Sequence, residues 1–399
     1  MARSNTGYNN STLKQQNRGL ILKLIATGEC HTRVEIAERT GLSKMAATNV
    51  INEFLADGIV EERAPIEKAG KGRNPVQIVI SERAPKIVGV HISRVECNVV
   101  LCDLQLNVLK TIGFKINRQN SRQILSLLYQ CVDEILSEAE GERLYGIGVG
   151  TIGPVDDIKG EILNPVDFYG YRNIKIVKLL KDRYDLPVAF DSQYNCAAMA
   201  EKYFGNGRDS EDFLFVGLSR GIGSGLISGG EPYKNSSGFT SELGHVTIDW
   251  NGNKCSCGNR GCLETYASSD VVAAKLKEVT GQDLSFSEFC ALYNTRAPKE
   301  VDEVFLDMVD KLSSGIVDVV NMFNPQKVII GHEGNWIPDR FIEVLDREIN
   351  TKKLSGKYRT VKVEKPFFGD ESHIRGCTCS VLSRLFDGTG LELVEHTKS

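Results

Sequence analysis

The chain of 399 residues is too long for one ordinary domain and points to two or three. With 41% hydrophobic and 25% charged residues it can bury a core, which excludes a disordered polymer, and no apolar run approaches the ~20 residues that span a bilayer. The net charge of -4 is unevenly spread: residues 1–83 hold 12 Lys+Arg against 9 Asp+Glu and the remainder 36 against 43, which suits a nucleic-acid-binding head on a small-molecule-binding body. The first 17 residues are polar and lack an apolar signal core, so a cytoplasmic protein is expected. The 11 cysteines are odd in number and unevenly spaced, which favours reduced thiols and a metal site over a disulfide framework.

Three helices are predicted before residue 60. Residues 13–26 carry Leu20, Ile21, Leu24 and Ile25 at helical spacing. Thr32 caps a short second helix, with Glu35 completing a capping box, and Gly41 supplies the left-handed turn after it. Ser43 caps the third, which turns Val50, Ile51, Phe54 and Leu55 inward. Two strands follow, 59–63 and 76–80, around a basic, glycine-rich stretch. This order is a winged helix-turn-helix over residues 1–82. Its third helix would present Ser43, Lys44, Thr48 and Asn49 to a major groove, and its wing would place Lys71 and Arg73 on phosphates or in a minor groove. The alternative is a helical bundle used for protein contacts.

From residue 86 strands and helices alternate. Strands are expected at 87–92, 95–103, 107–114, 144–150 and 188–191, and helices at 124–138, 174–184 and 195–204. A second set begins with strands 213–217 and 225–228, followed by helices between 269 and 323 and a strand at 327–330. Two such sets imply an α/β body of two lobes, 83–195 and 196–375, the first completed by a C-terminal helix over 376–392. Glycine-rich turns at 146–154 and 219–225 offer backbone N–H groups to an anion, although tight turning explains such glycines as well.

The strongest chemical signal is His245 followed by Cys255, Cys257 and Cys262. One imidazole and three thiols are the four N/S ligands of a closed, structural zinc site, and Gly258 and Gly261 let the backbone fold tightly enough for the sulfurs to converge. The alternative is a loop of reduced, metal-free thiols.

Together these residues resemble the ROK family of repressors and sugar kinases, along essentially the whole chain. The most specific piece is Ser241-Glu242-Leu243-Gly244-His245 with Cys255-x-Cys257-Gly258-x-x-Gly261-Cys262-Leu263-Glu264. The resemblance implies an actin-like, ribonuclease H-like sugar-kinase body, in a homodimer or a dimer of dimers. It also implies a sugar bound through Glu242, His245 and Glu264, with Asn164, Ser192 and Gln193 at further hydroxyl-binding positions and the loop 164–171 closing over them. Kinase features are missing. His91-Ile92-Ser93-Arg94-Val95 replaces the family's Asp-x-Gly-Gly-Thr, and Gln193 replaces the aspartate base. Ser219-Arg220-Gly221 opens the second phosphate turn, and Gly331-His332 replaces a glycine pair near the adenosine. An amide takes no proton near neutral pH.

The resemblance therefore implies a sugar-responsive repressor that binds double-stranded operator DNA, takes an aldose such as xylose or glucose, has lost phosphoryl transfer and needs no membrane. The pieces 251–264 and 321–326 look like those of xylose repressors. Two other readings stay open: an ATP-dependent sugar kinase that also binds DNA, and a constitutive DNA-binding protein with a dead pocket.

Overall fold

A computed structural model describes residues 10–64, 75–117, 119–139, 141–165, 168, 170, 172–234, 238 and 240–390. The chain divides into two compact units: residues 1–150, 175–191 and 377–399, and residues 151–174 and 192–376. The stretch 151–174 thus falls with the second unit, not in a continuous first lobe over 83–195. Asp157 ties this stretch to the second unit's own loop: its N–H donates to Gly238 O at 3.0 Å and its carboxylate pairs with Lys234 at 3.0 Å.

In the first unit, α1 (Asn10–Ala26), α2 (Arg33–Thr40) and α3 (Lys44–Ala56) precede the antiparallel pair β1 (Val60–Arg63) and β2 (Gln77–Ile80). Gly41 at φ 70° turns α2 toward α3, and Ser43 Oγ accepts from Ala46 N–H at 3.2 Å to cap α3. The cap on α2 differs in detail from the expected box. Thr32 Oγ1 accepts from Glu35 N–H, but the Glu35 carboxylate accepts from His31 N–H, one residue earlier than a capping box requires. Ile21, Ile36, Ile51, Phe54 and Ile78 are fully buried and form the core of this module.

The same unit continues through β3 (Lys86–Ile92), β4 (Glu96–Cys102), β5 (Val108–Lys115), α4 (Ser121–Glu138) and β6 (Leu144–Thr151). A capping box of Asn120 and Gln123 starts α4 three residues before its apolar pattern begins at Ile124. Ile124, Leu128, Val132 and Ile135 then form one buried face, and α4 packs on β4 and β5. The chain next passes through β7 (Val155–Asp156) and β8 (Glu161–Ile162) of the second unit and returns as α5 (Ile176–Tyr184) and β9 (Val188–Ser192). The first unit's sheet has the order β5-β4-β3-β6-β9, with β3, β4 and β5 antiparallel. Helix α5 starts two residues later than expected because Ile174 pairs with Ile162 as an isolated bridge.

The second unit contains α6 (Gln193–Phe204), β10 (Phe213–Leu218), β11 (Ile222–Ser228), β12 (Glu231–Pro232), α7 (Glu264–Ala267), α8 (Ser269–Thr280), α9 (Phe286–Leu292), α10 (Lys299–Phe323), β13 (Lys327–His332), α11 (Asp339–Lys352) and β14 (Lys362–Glu364). Its sheet runs β12-β11-β10-β13-β14; β10–β11 and β11–β12 are antiparallel, and β10–β13 and β13–β14 parallel. Val301, Phe305, Met308, Leu312, Ile316 and Val320 make the buried stripe of α10, and Phe305 stacks on Phe341 at 4.8 Å. Helix α12 (Ser372–Phe386) begins in the second unit and ends in the first. Its first turn is held by Glu201, whose buried carboxylate accepts from Ser372 Oγ at 2.9 Å, Phe367 N–H at 3.0 Å and Asn206 N–H at 2.9 Å. Burial raises the Glu201 carboxyl above the usual range, and these donors oppose that rise. No helix among the described residues is long and apolar enough to cross a membrane.

Candidate functional site

The second unit gathers the cysteine cluster around one short turn. Leu243–His245 is a single 3-10 turn closed by His245 N–H donating to Glu242 O at 3.1 Å. It lies against β11: a Cβ on Gly244 would come within 2.2 Å of Ile222 O. Beyond it the chain forms a small hairpin, with Thr247 bridging Cys262 and Lys254 bridging Arg260. Gly258 at φ 98° makes the tip. Gly261 at φ 68° also lets the returning arm pass Asp249, whose carbonyl oxygen would be 1.7 Å from any Cβ there.

The ligand atoms of His245, Cys255, Cys257 and Cys262 all lie within 4.8 Å of one another. His245 Nδ1 is 3.6 Å from Cys255 Sγ, and Cys257 Sγ is 3.8 Å from Cys262 Sγ. A tetrahedral zinc with bonds of about 2.3 Å to sulfur needs ligand-to-ligand edges of roughly 3.8 Å, so the four groups fit such an ion. Burial pushes the Cys255 thiol up to about 12 and raises Cys262. Burial acts on Cys257 in the same direction and is the largest single effect, but the hydrogen bonds from Asn259 N–H, Cys255 and Cys262 together outweigh it and its pKa is lowered. Thiols held this way become ligands by losing their protons to solvent as a cation binds.

Glu264, the first residue of α7, stands directly beside this cluster. Its Oε1 lies 3.4 Å from Cys255 Sγ and 3.6 Å from His245 Nδ1. A candidate effector carboxylate and the candidate metal ligands therefore lie side by side on one loop. The other expected pocket residues are spread along the fold. Ser192 is buried and caps α6 by accepting from Asn195 N–H at 3.1 Å, while Gln193 is the buried first residue of that helix. Asn164 is exposed, beside a loop of which 166, 167, 169 and 171 lie outside the described residues.

Tyr194 was not legible as a site residue. Gly217 and Gly223 face each other across β10 and β11, and a Cβ on either would come within 2.4 Å and 1.9 Å, respectively, of the Tyr194 ring. The paired glycines thus cradle the phenol. His332 packs on its edge at 5.2 Å and stacks on His373 at 4.0 Å. His332 holds φ 54° and ψ -134°, a conformation that costs a residue with a side chain about 1–3 kcal/mol. Two paired glycines opposite a bulky aromatic are a readable signal, but only once the β10–β11 register is known. On the turn between these strands Ser219 N–H donates to Gly221 O at 2.9 Å, and Arg220 pairs with Asp270 at 2.8 Å.

In the N-terminal three-helix module, Lys44 and Asn49 are exposed on α3, Thr48 is half-buried and Ser43 is exposed at the cap. Lys71 and Arg73, expected on the wing, lie outside the described residues.

Comparison with known proteins agrees with this arrangement. The model of the ROK family matches residues 87–383. The chain is 29% identical over 380 residues to the xylose repressor of Bacillus subtilis (strain 168), covering 94% of this chain and 97% of that one. A solved ROK family transcriptional regulator, described as a homolog of the E. coli MLC protein, superposes with a TM-score of 0.81 over 96% of this chain and 100% of its own, at 24% identity. The ROK hexokinase of Thermus thermophilus shares the fold at a TM-score of 0.62 and 24% identity, over 74% of this chain and 97% of its own. The fold is the actin-like one of regulators and sugar kinases, and the chain belongs to the ROK family.

Proposed function

We propose that this protein is a sugar-responsive transcriptional repressor that has lost phosphoryl transfer. One observation carries the reading: the four candidate metal ligands lie together with Glu264 beside them on one loop, whereas the glycine cradle of β10 and β11 is filled by the chain's own Tyr194 and His332. In this reading His245, Cys255, Cys257 and Cys262 hold a structural zinc, which fixes the loop carrying Glu242 and Glu264. Those two carboxylates and His245 bind an aldose, with xylose favoured by the relative's name. Ser192, Gln193 and Asn164 are the further candidates for its hydroxyls. The protein is cytoplasmic and acts as a homodimer or dimer of dimers, each winged module reading half of a pseudo-palindromic operator.

The sugar works as an inducer only if it binds one conformation better than the other. Thermal-shift and gel-shift titrations with D-xylose and D-glucose, on operator fragments selected from genomic DNA, test this directly. Loss of operator preference in the unmodified protein, or no response to any aldose, removes the assignment.

Two expected results follow for the parts. Purified protein should not transfer phosphate from ATP to any common monosaccharide, because Gln193 supplies no base and a missing base alone costs about 10²–10⁴-fold; sugar-dependent ADP release abolished by Glu242→Ala would overturn this. On DNA, Asn49→Ala should relax preference at one base pair per half-site by roughly 1–3 kcal/mol, whereas Lys44→Ala or Arg73→Ala should weaken all sequences alike and flatten the salt dependence. Gel shifts at two salt concentrations, on operator and scrambled DNA, separate these. Unchanged binding by all three variants means another surface meets the DNA.

A further inference from the structure

Gly153 lies on the turn that follows β6, in a stretch that is held firmly. Leu163 N–H donates to Pro154 O at 3.1 Å, and Asp157 N–H donates to Gly238 O at 3.0 Å. The proline ring after Gly153 restricts the backbone further. Against this fixed backbone rests the end of one side chain. A Cβ on Gly153 would stand 2.4 Å from Glu242 Oε1 and 3.4 Å from Glu242 Cδ, with Thr240 Oγ1 next at 3.5 Å.

We infer that Gly153 is a positioning residue for Glu242: its bare Cα is the floor on which the carboxylate lies, and that floor sets where Glu242 can meet a sugar hydroxyl. The inference rests on the reading of Glu242 as an aldose ligand.

Two features make this a positioning role rather than a packing one. The atom in conflict is the far end of a flexible side chain, so an added methyl would displace the carboxylate at little cost to the fold. The other end of the Glu242 segment is fixed independently, because Gly244 is pressed on Ile222 O and the turn to His245 is closed by a backbone hydrogen bond. A carboxylate pushed by about 1 Å while its Cα stays in place loses its alignment with a bound hydroxyl, and misplacement on that scale can cost on the order of 10²-fold in an aligned site.

The experiment uses the full-length protein with D-xylose, D-glucose and N-acetylglucosamine as probes, each titrated calorimetrically. Melting temperature and bound metal are measured alongside. Gly153→Ala should weaken binding of whichever probe the unmodified protein takes by about 10–100-fold, with metal content and melting temperature kept. Glu242→Asp shortens the side chain by one methylene and should weaken binding alone. Combined with Gly153→Ala it should bind better than Gly153→Ala by itself, because the shorter acid clears the new methyl. A Gly153→Ala protein that binds as tightly as the unmodified one overturns the inference and leaves the aldose reading standing. So does a loss that Glu242→Asp fails to relieve, since the damage then lies elsewhere. If the unmodified protein binds none of the three sugars, the aldose reading falls and this inference falls with it.

Discussion

Cys257→Ser should strip the metal from the second unit and lower its melting temperature by roughly 10 °C. Zinc bound by four protein groups contributes its binding free energy to folding, about 10–16 kcal/mol in isolated zinc-finger peptides. This unit has a large apolar core of its own around Phe289, Phe305 and Phe341, so the metal is not needed to fold it outright. What is lost is the order of the hairpin between Thr247 and Cys262, with the two remaining thiols, Cys255 and Cys262, and the His245 imidazole left without a cation. A loss of about 3–5 kcal/mol in a unit of this size corresponds to a shift of that order, at 2–4 °C per kcal/mol. Cys257 is the exposed member of the set, so its replacement by serine opens no core cavity, and the effect reports the ligand rather than packing. Cys290→Ser is the control. That thiol is buried at the foot of α9 outside the cluster, so the variant should lose stability yet keep one metal per chain. Metal analysis and calorimetry on both variants decide the matter. A Cys257→Ser protein that retains about one zinc would show that the other three groups hold it without this sulfur. An unmodified protein, purified without chelators, that carries well under one zinc per chain removes the site.

Aldose binding should fail in the same variant before operator binding does. Glu264 sits within 3.6 Å of His245 Nδ1 and 3.4 Å of Cys255 Sγ, so freeing the loop frees the carboxylate. The N-terminal three-helix module belongs to the other compact unit.

What the sequence made legible was governed by local chemistry. Thr32, Gly41 and Ser43 mark helix ends because capping and left-handed turns are decided within four residues. The cysteine motif is equally local: Gly258 and Gly261 adopt the positive φ angles their spacing asks for. What stayed hidden depends on partners far along the chain. Tyr194 reads as one more aromatic on α6 until the pairing of Gly217 with Gly223 shows the gap it fills. Gly331-His332 reads as a lost motif, yet the ring of His332 packs against that tyrosine. The placement of residues 151–174 in the second unit goes with distant contacts such as the backbone bond of Asp157 to Gly238 and its ion pair with Lys234, which no periodicity announces. Short strands such as β7, β8, β12 and β14 are too brief to show an alternation at all.

Gly19 offers a test in which the sign of the effect is the result. It lies in the middle of α1, where a glycine costs a helix about 0.5–1 kcal/mol relative to alanine, so on helix propensity alone Gly19→Ala should stabilise the protein. The structure predicts the reverse. A Cβ on Gly19 would lie 2.5 Å from Phe386 O, 2.6 Å from Gly388 N and 2.8 Å from Leu385 O, all backbone atoms at the end of α12 that cannot rotate away. From the other side, Gly388 at φ 86° brings its own Cα so close that a Cβ would be 2.3 Å from Gln15 O. Two glycines thus let α1 and the end of α12 meet backbone to backbone. Helix α1 in turn grips α3: Lys14 pairs with Glu53 at 2.9 Å, Arg18 pairs with Glu53 and lies over the Phe54 ring at 5.3 Å. The contact at Gly19 therefore helps seat α1, and through it α3, on the body of their own unit. Overpacking of this kind costs roughly 1–3 kcal/mol, which outweighs the propensity gain. Gly19→Ala should lower the melting temperature and speed amide exchange along α1, and Gly19→Leu should do both more strongly while α3 keeps its helical content. Operator binding should survive in part, since α3 and its cap are untouched, but its response to sugar should weaken as the seat loosens. A Gly19→Ala protein that melts higher than the unmodified one, or whose α1 amides exchange at the same rate, would mean that α1 is not anchored at this point.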